Sequence, residues 1–296
     1  MTLGFEEISI AFRNCNGDAK FSFKEYLKNL YKSKEDYERG FIITDANNYI
    51  LTDIEKLLSK AILNICATDY LIKKGYFSWG FVTSYYANYF LIQGLSRTQI
   101  NFTAWMDRSI DCQVLNYQEK TIKIQAIDRS TDEHQRQFQR FFENFKHFRI
   151  RAGIDRYWNI GVRPFALGNE PEIRNKINYE ISDDAFYELD LDLIAFNKII
   201  KDNSISPFDK PKEDSEIENF ARNNLKMALA RLRMLTYTLN FIAIRNSEYK
   251  SYYQRNMNYR LQSIGRKYID LSTWINKHFH DWLIFDPELV KKDEVS

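Results

Sequence analysis

The sequence predicts a mainly α fold, a helical bundle with an inserted small antiparallel three-stranded β-meander. Apolar residues recur at helical spacing over several long stretches, whereas strict alternation is confined to about residues 98–127. Only 10 Gly and 5 Pro occur in 296 residues, too few for a repeat-β or linker-rich chain. The chain divides into a short N-terminal helical unit over 1–48 and a bundle over 49–296 that carries the meander as an insertion.

In the N-terminal unit, Asn14 to Glu25 imitates an EF-hand loop. Asn14, Asn16, Asp18, Ser22 and Glu25 fall at loop positions 1, 3, 5, 9 and 12, with Phe21 at the apolar position 8. Ala19 stands where that turn calls for Gly, and Asn14 takes a charge out of the first ligand position. A helix-turn-helix with a polar turn is therefore the expected use of the segment, and no metal is expected.

The first long helix is read from Thr52 to Lys74. Thr52-Asp-Ile-Glu55 has the form of a capping box, Leu57, Leu58, Ala61, Ile62, Ile65 and Leu71 follow at helical spacing, and Gly75 ends it. The second, about Phe77 to Leu95, is apolar on most faces, with Tyr85, Tyr86 and Tyr89 among its rings, and so belongs inside the bundle. Three strands follow. Ile100, Phe102, Ala104 and Met106 alternate with polar residues, 112–117 fits a second strand, and 121–127 alternates again after the turn Gln118-Glu119-Lys120. Residues 131–148 read as a basic helix. Two long helices separated near 246–250 close the chain, with seams of Ala221, Leu225, Ala228, Leu232, Leu235, Leu239 and Ile242, then of Met257, Leu261, Ile264, Tyr268, Leu271 and Ile275. Such seams are what antiparallel bundle helices bury.

Three Cys, far apart and without a Cys-x-x-Cys pair, argue against a disulfide framework or a thiolate zinc site. No basic-then-apolar leader and no run of about 18 apolar residues is visible, so the expectation is a cytoplasmic protein with no membrane association. No cofactor is expected.

A formal net charge of +2 hides a segregation along the chain. From 170 to 219 there are 14 acidic and 6 basic residues, whereas from 222 to 267 there are 10 basic residues and only Glu248. On a helix, Arg222, Lys226 and Arg233 fall within about 40° of one another, opposite the leucine seam. Further on, Arg245, Lys250, Arg255 and Arg260 interleave with Tyr249, Tyr252, Tyr253 and Tyr259, a mixture suited to phosphates and stacked bases. These seven cations are the candidate nucleic-acid-binding residues. The competing reading is that the acidic and basic segments pair with each other or with a partner.

Among the histidines, His278 and His280 lie two apart and would point to different sides of a helix, which argues against a shared metal. Arg129 precedes His134 by five residues and Arg140 precedes His147 by seven. With many Arg in the chain, these spacings are read as chance.

Two windows resemble the HEPN superfamily, helical-bundle proteins named for higher eukaryotes and prokaryotes nucleotide-binding. The first is Trp79-Gly-Phe-Val-Thr-Ser-Tyr-Tyr-Ala-Asn-Tyr-Phe-Leu-Ile-Gln-Gly-Leu95, similar to the family's buried helix. The second is Ile173-Arg-Asn-Lys-Ile-Asn-Tyr179. In active HEPN ribonucleases an Arg, often followed by a polar residue, precedes a His by five to seven positions, and the pair cleaves RNA without metal. Arg174 and Asn175 match the first part, but Tyr179 stands at the His position. A phenol with a pKa of about 10 does not exchange protons at neutral pH as imidazole does. The resemblance implies an RNA- or nucleotide-binding protein of a bacterial defence or toxin-like system, antiviral in character, with the RNase site degenerate. It leaves open whether the chain is an enzyme; the implied activity is that of a metal-independent ribonuclease. The alternative is a non-catalytic protein-protein interaction subunit of a larger complex, and a homodimer is compatible with either. A site built on Asp183 and Asp184 is a weaker third reading, because carboxylates are common at solvated helix ends.

Overall fold

The computed structural model describes residues 5–127, 133–145, 161–162, 171, 174–175 and 216–267. Over these residues the chain is mostly helical with one small antiparallel sheet, the expected class. The expected features at Arg129, His147, Tyr179, Asp183, Asp184, Tyr268, Leu271, Ile275, His278 and His280 lie outside the described residues.

Three short helices open the fold: α1 (Phe5–Ala11), α2 (Phe23–Lys28) and α3 (Lys34–Arg39). Helices this short do not persist alone. α2 and α3 each start in a capping box, Ser22 with Glu25 and Ser33 with Asp36. Glu25 is thereby committed to the Ser22 amide and hydroxyl, each at 2.7 Å. Asn16 and the loop's backbone amides also serve the fold. Asn16 Oδ1 accepts from the Asp18 amide, the Asn16 and Gly17 amides donate to Asn48, and the Ala19 amide donates to Thr52. The loop is a polar turn clamped to the next long helix. Gly17, at φ +72°, is required there twice over, since a Cβ would also stand 2.9 Å from the Tyr249 ring.

After β1 (Phe41–Ile43), α4 runs over Asn47–Lys73, starting earlier than the Thr52 capping box suggests. Thr52 is a buried interior residue whose hydroxyl donates to the Asn48 carbonyl at 2.9 Å, and Glu55 points into the core. The capping pattern fails because both side chains are taken by tertiary partners. The stop is as expected. Gly75 has φ +84° and the Tyr76 amide closes back onto the Leu71 carbonyl at 3.0 Å.

α5 (Phe77–Thr98) is the central helix, packed on α4 on one side and on α7 (Glu216–Arg245) on another. The α7 seam is buried apart from the half-buried Leu225, but its principal neighbour is α5 and not the helix that follows it. A buried polar ladder keys this contact. Asn88 Nδ2 donates to Asn224 Oδ1 at 2.9 Å, Asn224 Nδ2 donates to Ser84 Oγ at 2.9 Å, and Arg231 Nη1 donates to Asn88 Oδ1 at 2.9 Å.

The meander is present as β2 (Asn101–Trp105), β3 (Ser109–Asn116) and β4 (Thr121–Ala126). The sheet has four strands and not three. Its order is β1-β4-β3-β2, with Phe41 opposite Ile124. β1 is three residues long, too short to display an alternation in the sequence. Phe102, Ile110, Cys112, Ile122 and Ile124 belong to the main core. The open edge of β2 is covered by α6 (Glu133–Phe145), whose Gln137 and Asn144 amides donate to the Thr103 and Asn101 carbonyls at 2.7 and 2.8 Å. Unpaired edge carbonyls are thereby satisfied.

α8 (Ser247–Lys267) follows α7 after a single residue, Asn246. Its Oδ1 accepts from the Glu248 and Tyr249 amides, while its Nδ2 donates to the Phe12 and Cys15 carbonyls at 2.8 and 2.6 Å. One side chain thus caps α8 and pins the N-terminal segment. The 48/49 division falls in the first turn of α4, and Ile8, Phe12, Phe23 and Leu27 share one hydrophobic cluster with the bundle residues.

Candidate nucleic-acid interface

The basic and aromatic residues of α8 meet α4 around a buried carboxylate. Glu55 is 2% exposed in its side chain, and Arg260 Nη2 donates to its Oε2 at 2.7 Å. The Tyr249 hydroxyl donates to the same carboxylate. Arg260 also reaches the Glu55 carbonyl at 3.1 Å and Ser59 Oγ at 2.9 Å. A carboxylate this deep is tolerable only with such partners. Burial and the adjoining Glu55 charge push the Tyr249 hydroxyl well above its ordinary range, and Tyr253 is raised by the same two causes. Both phenols are therefore neutral donors.

Above this network α4 and α8 leave a groove of about 720 Å³. Lys56 and Ser59 line it from α4, and Tyr252, Asn256, Tyr259 and Arg260 line it from α8. Tyr259 is 73% exposed and Lys56 is exposed, so the rim is aromatic and cationic while the floor is the Glu55–Arg260 pair. Arg255 is exposed, with its guanidinium carbon 5.9 Å from the Tyr252 ring centre. Cys66 also lines the groove, but burial raises its thiol to about 12, which leaves it protonated and unreactive.

Of the seven candidate cations, Arg260 lines this groove and Arg255 stands beside its Tyr252. The others lie elsewhere. Arg222 is bound to Glu218 one turn back, its Nε donating at 2.7 Å, and Lys226 is exposed beside Asn223. Arg233 and Lys250 are half-buried, and Arg245 lies 3.8 Å over the Phe241 ring. Sequence spacing found the α8 half of the groove but missed Lys56, Ser59 and Asn256. The α4 pair sits in a stretch dominated by its apolar repeat, and nothing in the sequence shows that α4 and α8 face each other.

A second cluster gathers around Tyr85, which is fully buried as expected. Its hydroxyl and His134 Nδ1 are hydrogen-bonded at 2.7 Å, and the His134 ring stacks on Tyr89 with centres 4.1 Å apart. Arg174, 7% exposed, lies 5.4 Å over the Tyr85 ring, and among the described residues its Nε has no hydrogen-bond partner. Asn175 is half-buried beside it in sequence. Arg140, paired in sequence with His147, is bound to Asp111 at 2.6 Å.

Among the described residues no group of three or more His, Cys, Asp and Glu is arranged to hold a metal ion, and no helix is long and apolar enough to cross a membrane. No protein-family model, curated protein or solved structure matches the chain.

Proposed function

We propose that this is a HEPN-like protein that binds RNA or a nucleotide in the α4–α8 groove and does not cleave it. The observation that carries the reading is the pairing of two exposed or half-exposed rings, Tyr252 and Tyr259, with Lys56 around one concave site, and with Arg255 standing beside Tyr252. Rings supply sequence-tolerant stacking at about 1–3 kcal/mol per base, and the cations meet phosphate. A volume of about 720 Å³ suits a nucleotide-sized ligand. The HEPN-like part of the reading is supported by Arg174 packing on Tyr85, which brings together the two separate windows on which the resemblance rests.

Fluorescence anisotropy with single-stranded RNA tests it. Binding should weaken as salt rises, and Tyr259→Ala and Lys56→Glu, both at exposed positions, should weaken it further without lowering the unfolding midpoint. An unchanged affinity in both variants, or no binding at low salt, removes the groove as an RNA site. A salt-insensitive complex with a co-purified protein would favour the interaction-subunit alternative.

A further inference from the structure

A second basic pocket lies at the far end of α2, between the α2–α3 loop and the β2–β3 turn. Lys28, Lys32, Lys34 and Arg108 line a cavity of about 230 Å³, with Asp107 the only carboxylate in the lining. The balancing charges are weakly held. Glu38 lies 3.7 Å from Lys34 and 3.9 Å from Arg108, and both Lys34 and Glu38 are solvent-exposed, where such pairs hold little. Lys32 lies 5.4 Å over the Phe41 ring and Arg108 6.0 Å over Tyr37, so aromatic faces position two of the cations.

The same loop presents Tyr31, 90% exposed and at φ +51°. A left-handed backbone is disfavoured for a bulky residue, and nothing in the core uses this ring. It stands in sequence between Lys28 and Lys32, which repeats the ring-and-cation chemistry of the α4–α8 groove.

The two sites are joined by α2. The Phe23 amide docks the start of α2 on Asp53 at 3.4 Å, three residues before Lys56 on α4. Lys28 is the last residue of α2, about 7.5 Å of helix away from that start. Lys56 and Lys28 both lie close enough to Glu25 to help hold its carboxylate below the usual range, after the Ser22 hydrogen bonds that dominate. Lys56, at the groove, and Lys28, at the loop pocket, thus both act on the exposed Glu25 of α2.

Resting on the groove reading above, we propose that the ligand is an extended single strand of RNA and not a mononucleotide, with its backbone continuing from the α4–α8 groove along α2 into the Lys28–Lys32–Lys34–Arg108 pocket and a base stacked on Tyr31. The groove holds one end of the strand and the loop pocket holds phosphates of the other.

The test compares anisotropy of labelled RNAs of about four and about twelve nucleotides, lengths that bracket one and two sites of this kind. Wild-type protein should bind the longer strand at least about tenfold more tightly. In Lys28→Gln/Lys32→Gln that advantage should vanish and the log-log salt slope should flatten by about 1.4, the loss of two phosphate contacts to a single strand. Affinity for the short strand should stay the same. Tyr31→Ala, which removes a ring touching no core residue, should cut long-strand affinity alone. Equal wild-type affinity for both lengths, or long-strand binding untouched by these variants, overturns the extended track while leaving the groove reading standing. Long-strand binding that needs Lys28 and Lys32 but ignores Tyr259→Ala overturns the groove reading and the shared track with it. Binding of neither length overturns both.

Discussion

Arg260 donates from Nη2 to Oε2 of Glu55 at 2.7 Å, across the contact between α4 and α8, and this buried pair is the floor of the groove. Breaking it from one side strands a charge in the core. Arg260→Met is expected to destabilise by about 3–5 kcal/mol, because among the described residues Glu55 is left with Tyr249 as its one strong side-chain donor. Adding Glu55→Gln should recover part of that loss, since the pair acts as a unit. Urea unfolding of the two singles and the double gives the coupling, and strictly additive losses would mean the ion pair contributes nothing of its own.

Alkaline pH should loosen the same region. The Tyr249 hydroxyl is raised well above 10.0 by burial and by Glu55, and the Cys15 and Cys66 thiols are raised from 9.0 to about 11 and about 12 by burial. In the unfolded chain these groups ionise at their ordinary values, so the folded state holds more protons above about pH 9. Stability is then full below that pH and falls as pH rises through the folded values. Unfolding midpoints measured from pH 8 upward should decline from about 9. A midpoint flat to pH 11 would contradict the buried placement of the two thiols.

The helices and meander were legible because their signal is local periodicity, carried by residues such as Leu232, Leu235 and Leu239 or Ile122 and Ile124. What escaped is tertiary. Thr52 and Glu55 have the spacing of a capping box, yet Thr52 serves Ala19 and Glu55 serves Arg260 and Tyr249, partners far away in sequence. Arg260 belongs to a basic run, and only its burial against α4 turns it from a phosphate ligand into a structural cation. Lys28 and Arg108, in contrast, sit in unrelated segments, and no spacing rule links an α2 terminus to a hairpin turn.

Tyr85 separates packing from polar chemistry. Tyr85→Ala should cost about 3–5 kcal/mol by cavity formation, whereas Tyr85→Phe, which loses the hydroxyl and its bond to His134, should cost about 1 kcal/mol. Thermal or urea unfolding distinguishes the two. A Tyr85→Ala protein that keeps wild-type stability would overturn the core assignment of α5.

The last expectation concerns cleavage. Metal-independent RNA hydrolysis needs a cation to hold the phosphate and a group that exchanges a proton near pH 7. Arg174 supplies the first at most, and it is buried against Tyr85 with only 7% of its surface exposed. His134 is the one described imidazole close to it, but its Nδ1 is bound to the Tyr85 hydroxyl and its ring is stacked on Tyr89. The other sequence pair is closed off as well, since Arg140 is occupied by Asp111. Purified protein in EDTA should therefore leave RNA intact, and Tyr179→His should introduce weak cleavage that depends on Arg174. Cleavage by the wild type that disappears in both Arg174→Lys and His134→Gln, with folding intact by circular dichroism, would make the Tyr85 cluster an active centre assembled from two distant segments. Cleavage that survives His134→Gln but not Arg174→Lys would instead assign the proton transfer to a residue other than His134 and end the claim that the site is degenerate.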